Sequence, residues 1–192
     1  MSTLTLPQIQ SPVSSRSNGL RPEDSLYEIV HGKRVELPSM GIRSIWVGSR
    51  LSKFLAIHVD DHHLGTVVAE GLFILDTEDD LRRRPDLAFV SATTWPLDRV
   101  VPLEGDWEVV PDLSVEVISP NDLFEDVLGK LAEYFSYGVK QVWLVSPTAE
   151  KIYIYDSPVQ VRILAVEDYL DGGELLPGFR LKVADLFHRN AS

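Results

Sequence analysis

The 192-residue chain contains no cysteine, which excludes disulfides, thiolate zinc sites and cysteine nucleophiles. It also lacks a long apolar run, since stretches such as residues 142–145 are far shorter than the roughly 20 residues that a membrane span needs. The N-terminus shows no basic patch followed by an apolar stretch, so no signal peptide is expected. These absences favour a cytoplasmic protein that has no membrane partner.

Basic residues are scarce: 18 Lys and Arg stand against 29 Asp and Glu, a net charge of −11. Because phosphate contacts normally come from Lys and Arg, this balance disfavours a strong sequence-independent DNA binder. It does not disfavour a metal site, which itself needs acids. The length and the 44% hydrophobic content suit one domain, residues 21–192. Residues 1–20, rich in Ser, Pro and Gln, are expected to form a flexible tail.

Hydrophobic periodicity and turn residues predict alternating helices and strands. A hairpin is expected over residues 26–37, around His31-Gly32. The other expected elements are a helix from an N-cap at Ser39 to about Val59, strands over 65–75, 85–90, 113–118 and 141–146, a charged turn over 76–84, a loop over 91–109, a helix from a capping turn at 119–122 to about Tyr137, an edge strand over 151–155, and a short strand and final helix within 161–187. This order predicts an α/β fold with a mixed β-sheet flanked by helices.

Two acidic residues stand in apolar strands. Asp86 opens one strand, and Glu116 lies between Val115 and Val117 in another. A buried carboxylate is costly unless it is paired, hydrogen-bonded or bound to a metal. If the two strands are neighbours, the oxygens of Asp86 and Glu116 can meet over one hard cation such as Mg²⁺.

Lys130 is the third candidate, because it adjoins the inner apolar stripe of the second predicted helix. From there its amine could reach the strand that carries Glu116 and orient a water molecule. Purely structural roles for Asp86 and Lys130 remain open at this point. Asp86 could simply begin a strand after a turn, and Lys130 could pair with Asp126 or Glu133 in solvent.

Three other groups of residues are of a type that could have a function. His58, His62 and His63 are conceivable metal ligands, although an exposed helix end explains them better. The triplet at residues 82–84 is a basic patch beside Asp86 that could contact a phosphate backbone or form a solvated turn. Trp95, Trp107 and Trp143 are expected to pack in the core or in loops rather than to stack on bases.

Several sequence segments together resemble a known family: LYEIVHG (26–32), RPDLAFV (84–90), PDLSVEVISP (111–120), DVLGKLAEYFSYGV (126–139) and WLVSP (143–147). They resemble the Uma-two type endonucleases, a bacterial family formerly described as a domain of unknown function. That family is assigned to the restriction-endonuclease-like PD-(D/E)XK superfamily. The resemblance spans about residues 22 to 187, and its most specific part is residues 111–147.

The resemblance gives roles to individual positions. Asp86 corresponds to the acid of the PD half-motif, and Glu116 to the acid of the second half-motif. Two residues further on the superfamily usually has lysine, where this chain has Ile118. The family supplies the lysine from the next helix, which points to Lys130. Glu28 matches a recurrent glutamate and is expected to be an additional metal or water ligand.

The activity implied by the resemblance is metal-dependent hydrolysis of DNA phosphodiester bonds. Asp86, Glu116 and the carbonyl of Val117 would hold Mg²⁺ or Mn²⁺, with Lys130 beside them. A homodimer is expected, since superfamily members often dimerise to cut both strands. The alternative function is a catalytically silent binding or assembly module that acts through protein partners.

Overall fold

The computed structural model describes residues 25–188, which contain three helices and twelve strands. The elements in chain order are β1 (Tyr27–Val30), β2 (Lys33–Glu36), α1 (Ile42–Asp61), β3 (Gly65–Ala69), β4 (Phe73–Asp76), β5 (Leu81–Arg83), β6 (Leu87–Ser91), β7 (Leu113–Val117), α2 (Phe124–Ser136), β8 (Gln141–Ser146), β9 (Lys151–Ser157), β10 (Gln160–Leu164), β11 (Tyr169–Asp171), β12 (Arg180–Lys182) and α3 (Val183–Phe187). The expected tail at residues 1–20 lies outside the described range. Within that range, none of the helices has the length and apolar character needed to cross a bilayer.

The central sheet has six strands in the order β10-β9-β8-β7-β6-β3. Only β7 and β8 run parallel, and all other neighbours in this sheet are antiparallel. β8 is almost wholly buried, as its apolar sequence predicts for a strand covered on both faces. The predicted strand over residues 151–155 pairs with β8 as expected, but it is not the edge of the sheet, because β10 pairs with β9 and takes that place.

Two layers cover the faces of this sheet. On one face α1, α3 and the β11–β12 hairpin pack against Val115, Val117 and Trp143. On the other face α2 and a second sheet pack against Ala88 and Leu144. Strand alternation in β7 therefore works as predicted: its valines face α1, and its intervening polar side chains face α2.

The second sheet has four strands in the order β2-β1-β5-β4. It contains the predicted N-terminal hairpin, whose turn residues His31 and Gly32 both have positive φ, 51° and 71°. The prediction of a simple charged turn over residues 76–84 was wrong. β5 lies inside that stretch, and its Arg82 pairs with Ile29 on one side and Ile74 on the other.

The single strand predicted for residues 65–75 is in fact two strands in different sheets. Glu70 adopts a left-handed backbone with φ of 53°, and a Cβ on Gly71 would lie 2.7 Å from Val68 Cγ1. The chain therefore bends sharply between β3 and β4. The Glu70 N–H donates to the Asp86 carbonyl at 3.1 Å, so the bend is joined to the second crossing between the sheets.

Both predicted helix caps were placed too early. α1 begins after Gly41, an extended residue without a side-chain cap, rather than after Ser39. α2 begins after Leu123, because the Asp122 carboxylate accepts the Ser119 N–H at 2.7 Å and closes the preceding turn instead. The predicted stop at Gly138 agrees with its φ of 97°.

Asp112 is 2% exposed and connects the end of β6 with the beginnings of β7 and β8. Its carboxylate accepts the Ser91 N–H at 2.7 Å and the Thr94 hydroxyl at 3.0 Å, and it pairs with Lys140 at 2.6 Å. We expect Asp112→Ala to lower the free energy of unfolding by about 3 kcal/mol, because the Ser91 N–H and the Thr94 hydroxyl lose the charged acceptor that the buried Asp112 carboxylate provides. Urea unfolding measures the change, and Asp98→Ala, an exposed loop residue, is the control. Equal stability of the two variants would contradict this role.

Candidate active site

Asp86 and Glu116 are brought together by the register of β6 and β7. Leu87 pairs with Val115 in this antiparallel ladder, so one step further places Asp86 opposite Glu116. Residues opposite each other share a face, with Cβ atoms about 5 Å apart. The backbone ladder ends there, and the Val117 N–H instead donates to Asp86 Oδ2 at 2.5 Å. The carboxylate of Asp86 thus completes the pairing of a central strand.

α2 supplies two donors to a single oxygen of Glu116. Tyr134 donates its hydroxyl to Glu116 Oε1 at 2.6 Å, and Lys130 Nζ lies 2.9 Å from the same atom. These two residues are four apart on α2 and so project from one side of the helix. Among the described residues, no donor contacts the other oxygen of Glu116 or Oδ1 of Asp86. Each carboxylate is therefore held by one oxygen and leaves the other open to a ligand.

Glu28, from β1, is the second carboxylate that holds Lys130. Its Oε1 lies 2.8 Å from Lys130 Nζ and accepts the Arg84 N–H at 2.8 Å, while its Oε2 pairs with Arg83 at 2.7 Å. Arg83 also pairs with Glu133 of α2. Both oxygens of Glu28 are engaged by these donors. The geometry therefore favours a role in positioning Lys130, instead of the expected role as a metal or water ligand.

Burial and neighbouring charges shift the pKa values of the ionisable groups in this cluster. Burial, and then the nearby charge of Glu116, raise the pKa of Asp86 to about 7. Burial also raises the pKa of Glu116, against the opposing influence of Lys130. Burial alone would raise the pKa of Glu28, but Lys130 and Arg83 hold it below its usual value. The two carboxylates raise the pKa of Lys130 despite its burial, so Lys130 is cationic at neutral pH.

The cluster forms the floor of a cleft of approximately 720 Å³ between α2 and the N-terminal hairpin. Nine of the lining residues are Asp or Glu, and only three are Arg or Lys. A cleft of this charge attracts cations more readily than anions.

A divalent ion such as Mg²⁺ fits the donors that the site presents. Two like-charged carboxylates lie side by side, each with one oxygen open, and oxygen donors are the ligands that Mg²⁺ prefers. In residues 25–188 no three His, Asp or Glu side chains converge as metal ligands. The ion would therefore rest on Asp86, Glu116 and the Val117 carbonyl, with water completing its shell. This pattern of few protein ligands suits Mg²⁺ better than Zn²⁺.

The structure decides between the alternatives left open for Lys130 and the histidines. Lys130 contacts Glu28 and Glu116 rather than Asp126 or Glu133. His58 Nε2 lies 3.0 Å from the Pro177 carbonyl, and its ring stacks on His62 at 4.2 Å. These histidines thus make packing and backbone contacts at the helix end.

The tryptophans of the predicted packing set are buried, with Trp95 at 8%, Trp107 at 6% and Trp143 at 0% exposure. They therefore pack in the interior as expected, and none of them offers an exposed ring to a nucleic-acid base.

Tyr134 and Arg83 are site residues that were not predicted from the sequence. Tyr134 is fully buried, yet its hydroxyl reaches Glu116 across the α2 layer. A signal was present: a tyrosine four residues after Lys130 places its hydroxyl on the same helical face. Arg83 lay within the basic triplet, but its buried pairing with Glu28 and Glu133 depends on contacts remote in sequence.

Comparisons with known proteins bear on the fold and on the family of this chain. A crystal structure of a putative nuclease belonging to DUF820, from Anabaena variabilis ATCC 29413, is similar over 84% of this chain and 89% of that chain, with a TM-score of 0.69 and 17% sequence identity. No curated protein matches the sequence. The structural likeness shows the fold, so the predicted mixed sheet with flanking helices and N-terminal hairpin is confirmed as a nuclease-like α/β fold. The family model Uma2, described as "Putative restriction endonuclease", matches residues 15–184. The chain therefore belongs to the Uma2 family.

Proposed function

We propose that this protein is a Mg²⁺-dependent endonuclease that hydrolyses phosphodiester bonds of DNA in the cytoplasm, with Mn²⁺ as an alternative ion. The observation that carries the proposal is the pairing of Asp86 and Glu116 across β6 and β7, with Lys130 bound to Glu116. Family membership supports a nuclease, and the DNA substrate and the metal are our extension.

The chain's own residues divide the work. Asp86, Glu116 and the Val117 carbonyl would hold the ion, which supplies a Lewis acid beside the phosphate when bound. Lys130 stays protonated and directs its ammonium toward the attacking water or the charge that develops on the phosphate. Glu28 and Tyr134 fix Lys130 and Glu116 in place. In a homodimer, two such sites would serve the two strands of a duplex.

Glu116→Ala is expected to abolish Mg²⁺-dependent cleavage of supercoiled plasmid DNA, because it removes one of the two carboxylates that would hold the ion. The rate of nicking and linearisation is measured on agarose gels with and without chelator. Glu174→Ala, at an exposed position remote from the cleft, is the matched control and should cleave like the unchanged protein. Cleavage by Glu116→Ala at the unchanged rate, in a variant that melts normally, would remove the proposal.

A second candidate is a nuclease fold without cleavage that serves as a binding or assembly module for protein partners. The observation in its favour is the cleft itself, whose nine acidic lining residues repel a polyanion. Calorimetric titration with Mg²⁺ and with Mn²⁺ separates the two candidates. Binding that disappears in Glu116→Ala supports the enzyme, whereas absence of binding by the unchanged protein supports the module.

A further inference from the structure

Arg84 lines the cleft and is held by backbone carbonyl oxygens instead of carboxylates. Its Nε donates to the Tyr27 carbonyl at 3.1 Å, and its Nη1 donates to the Glu70 carbonyl. Its backbone N–H is held by Glu28, and its guanidinium lies 5.6 Å from the centre of the Tyr27 ring. These contacts come from β1 and from the bend between β3 and β4, so the guanidinium is held from two segments beside the cleft.

The other arginines of the triplet are neutralised by carboxylates. Arg82 pairs with Asp80 at 2.7 Å and Asp106 at 2.6 Å, and neither acid lines the cleft. Arg83 pairs with Glu28 and Glu133. The triplet was expected to be either a phosphate-contacting patch or a solvated turn. Arg82 and Arg83 fit neither description, because both are held in ion pairs.

Arg84 differs because its contacts are carbonyl oxygens. Among the cations that line the cleft in the described part of the chain, it alone makes no ion pair with a carboxylate. A carbonyl orients a guanidinium without cancelling its charge. Its Nη2 makes no hydrogen bond or ion pair with the described residues and is left for a ligand. Glu70, whose charge acts on Asp86, bonds to Arg84 through its backbone carbonyl, and within residues 25–188 its carboxylate makes no ion pair with Arg84.

We propose that Arg84 binds a backbone phosphate of the nucleic-acid strand, next to the phosphate that Asp86 and Glu116 would serve. Arginine is suited to this because its planar fork of donors matches the oxygens of a phosphate. The location fits, since Arg84 is two residues from Asp86 and lines the same cleft. A fixed positive charge would also offset part of the acidic lining where an anion must enter. This inference rests on the proposed nuclease function and names the residue that contacts its substrate.

The test compares Arg84→Gln, Arg84→Lys and the control Arg82→Gln. Binding of a fluorescent duplex of random sequence is followed by anisotropy, and plasmid cleavage gives kcat and KM, both with Mg²⁺ across a series of salt concentrations. Arg84→Gln should weaken binding about tenfold and raise KM similarly, with little change in kcat. The slope of log affinity against log salt should fall by about one, as expected for one lost phosphate contact. Arg84→Lys should keep the slope, and Arg82→Gln should behave like the unchanged protein.

Each other outcome is decisive. An unchanged KM and salt slope in Arg84→Gln, or an equal loss in Arg82→Gln, would overturn the phosphate contact while leaving the nuclease intact. A fall in kcat alone would also overturn it, because that result indicates a structural role for Arg84. If the unchanged protein neither binds nor cleaves DNA, the proposed function fails, and the role of Arg84 fails with it.

Discussion

Lys130→Ala is expected to lower the rate of metal-dependent DNA cleavage by at least about a hundredfold, the effect of removing one donor that stabilises developing charge. Lys130 Nζ lies 2.8 Å from Glu28 and 2.9 Å from Glu116, and both contacts are lost together. The variant lacks the ammonium group that would stabilise charge during cleavage. Glu116 also loses one of the two donors that fix its Oε1. Plasmid cleavage under single-turnover conditions measures the loss.

The same change is expected to destabilise the fold, because two largely buried carboxylates lose their shared cation. The cost should be about 3 kcal/mol at neutral pH. It should shrink as the pH falls, since Glu28 and Glu116 can then become neutral by binding protons. Urea unfolding at several pH values measures this, and cleavage is assayed well below the melting temperature so that unfolding does not contribute.

The matched control is Lys182→Ala, which removes an exposed lysine from β12. It should leave both rate and stability unchanged. Lys130→Arg keeps the charge but changes its geometry, and we expect stability to recover more than the rate does. If Lys130→Ala cleaved DNA at the unchanged rate, Lys130 would be only a structural partner of the two glutamates.

The second large effect is a pH dependence of Mg²⁺ binding. The pKa of Asp86 is raised to about 7, first by burial and then by the charge of Glu116. Below that pH Asp86 holds a proton that a divalent ion has to displace. The apparent affinity for Mg²⁺ should therefore rise about tenfold for each pH unit up to about pH 7 and then level off.

The effect on stability has the opposite sign in the absence of metal. An acid whose pKa is raised on folding binds more protons in the native state, so its protonated form favours folding. That contribution is fully present below the ordinary Asp pKa of 3.8 and is lost as the pH rises to about 7. Mg²⁺ should restore the lost stability above that pH, because it binds the ionised form.

Calorimetry in two buffers of different ionisation enthalpy counts the protons released on Mg²⁺ binding. The proton that Asp86 contributes should raise the count by about one well below pH 7, and this contribution should fall toward zero above it. Glu70→Gln is an informative control, because the charge of Glu70 contributes to the raised pKa of Asp86. In that variant the fall in proton release should occur at lower pH, because the pKa of Asp86 is lower. An affinity that is constant from about pH 5 to about pH 8 would show that Asp86 does not bind the ion.

The parts of the site that the sequence could predict are those set by local periodicity. Glu116 in an apolar strand required a partner wherever it lay, and alternation alone placed it on the strand face that carries Ser114, away from the valines. The position of Lys130 followed from the family resemblance, and its contact with Glu116 then agreed with the helical period. The fold class followed from the order of elements in the same way.

What could not be predicted depends on contacts between distant segments. The break at Glu70 required knowledge that β4 joins another sheet, since residues 65–75 are uniformly strand-like. The role of Glu28 depended on β5 lying next to β1, which brings Arg83 and Arg84 to it. The three arginines at 82–84 look alike in sequence, and only their tertiary partners distinguish them.

The bend at Glu70 also limits how the cleft can change its width. The chain passes between the two sheets at this bend and again at residues 84–86, and the two crossings are bonded through the Glu70 peptide, whose N–H contacts Asp86 and whose carbonyl contacts Arg84. Separating the sheets would break both bonds at once. These bonds therefore oppose changes in the spacing between Glu28 on β1 and Glu116 on β7, which lie on either side of the crossings. Under the proposed function, a cleft of limited adjustability should admit flexible or distorted DNA sites more readily than stiff duplex.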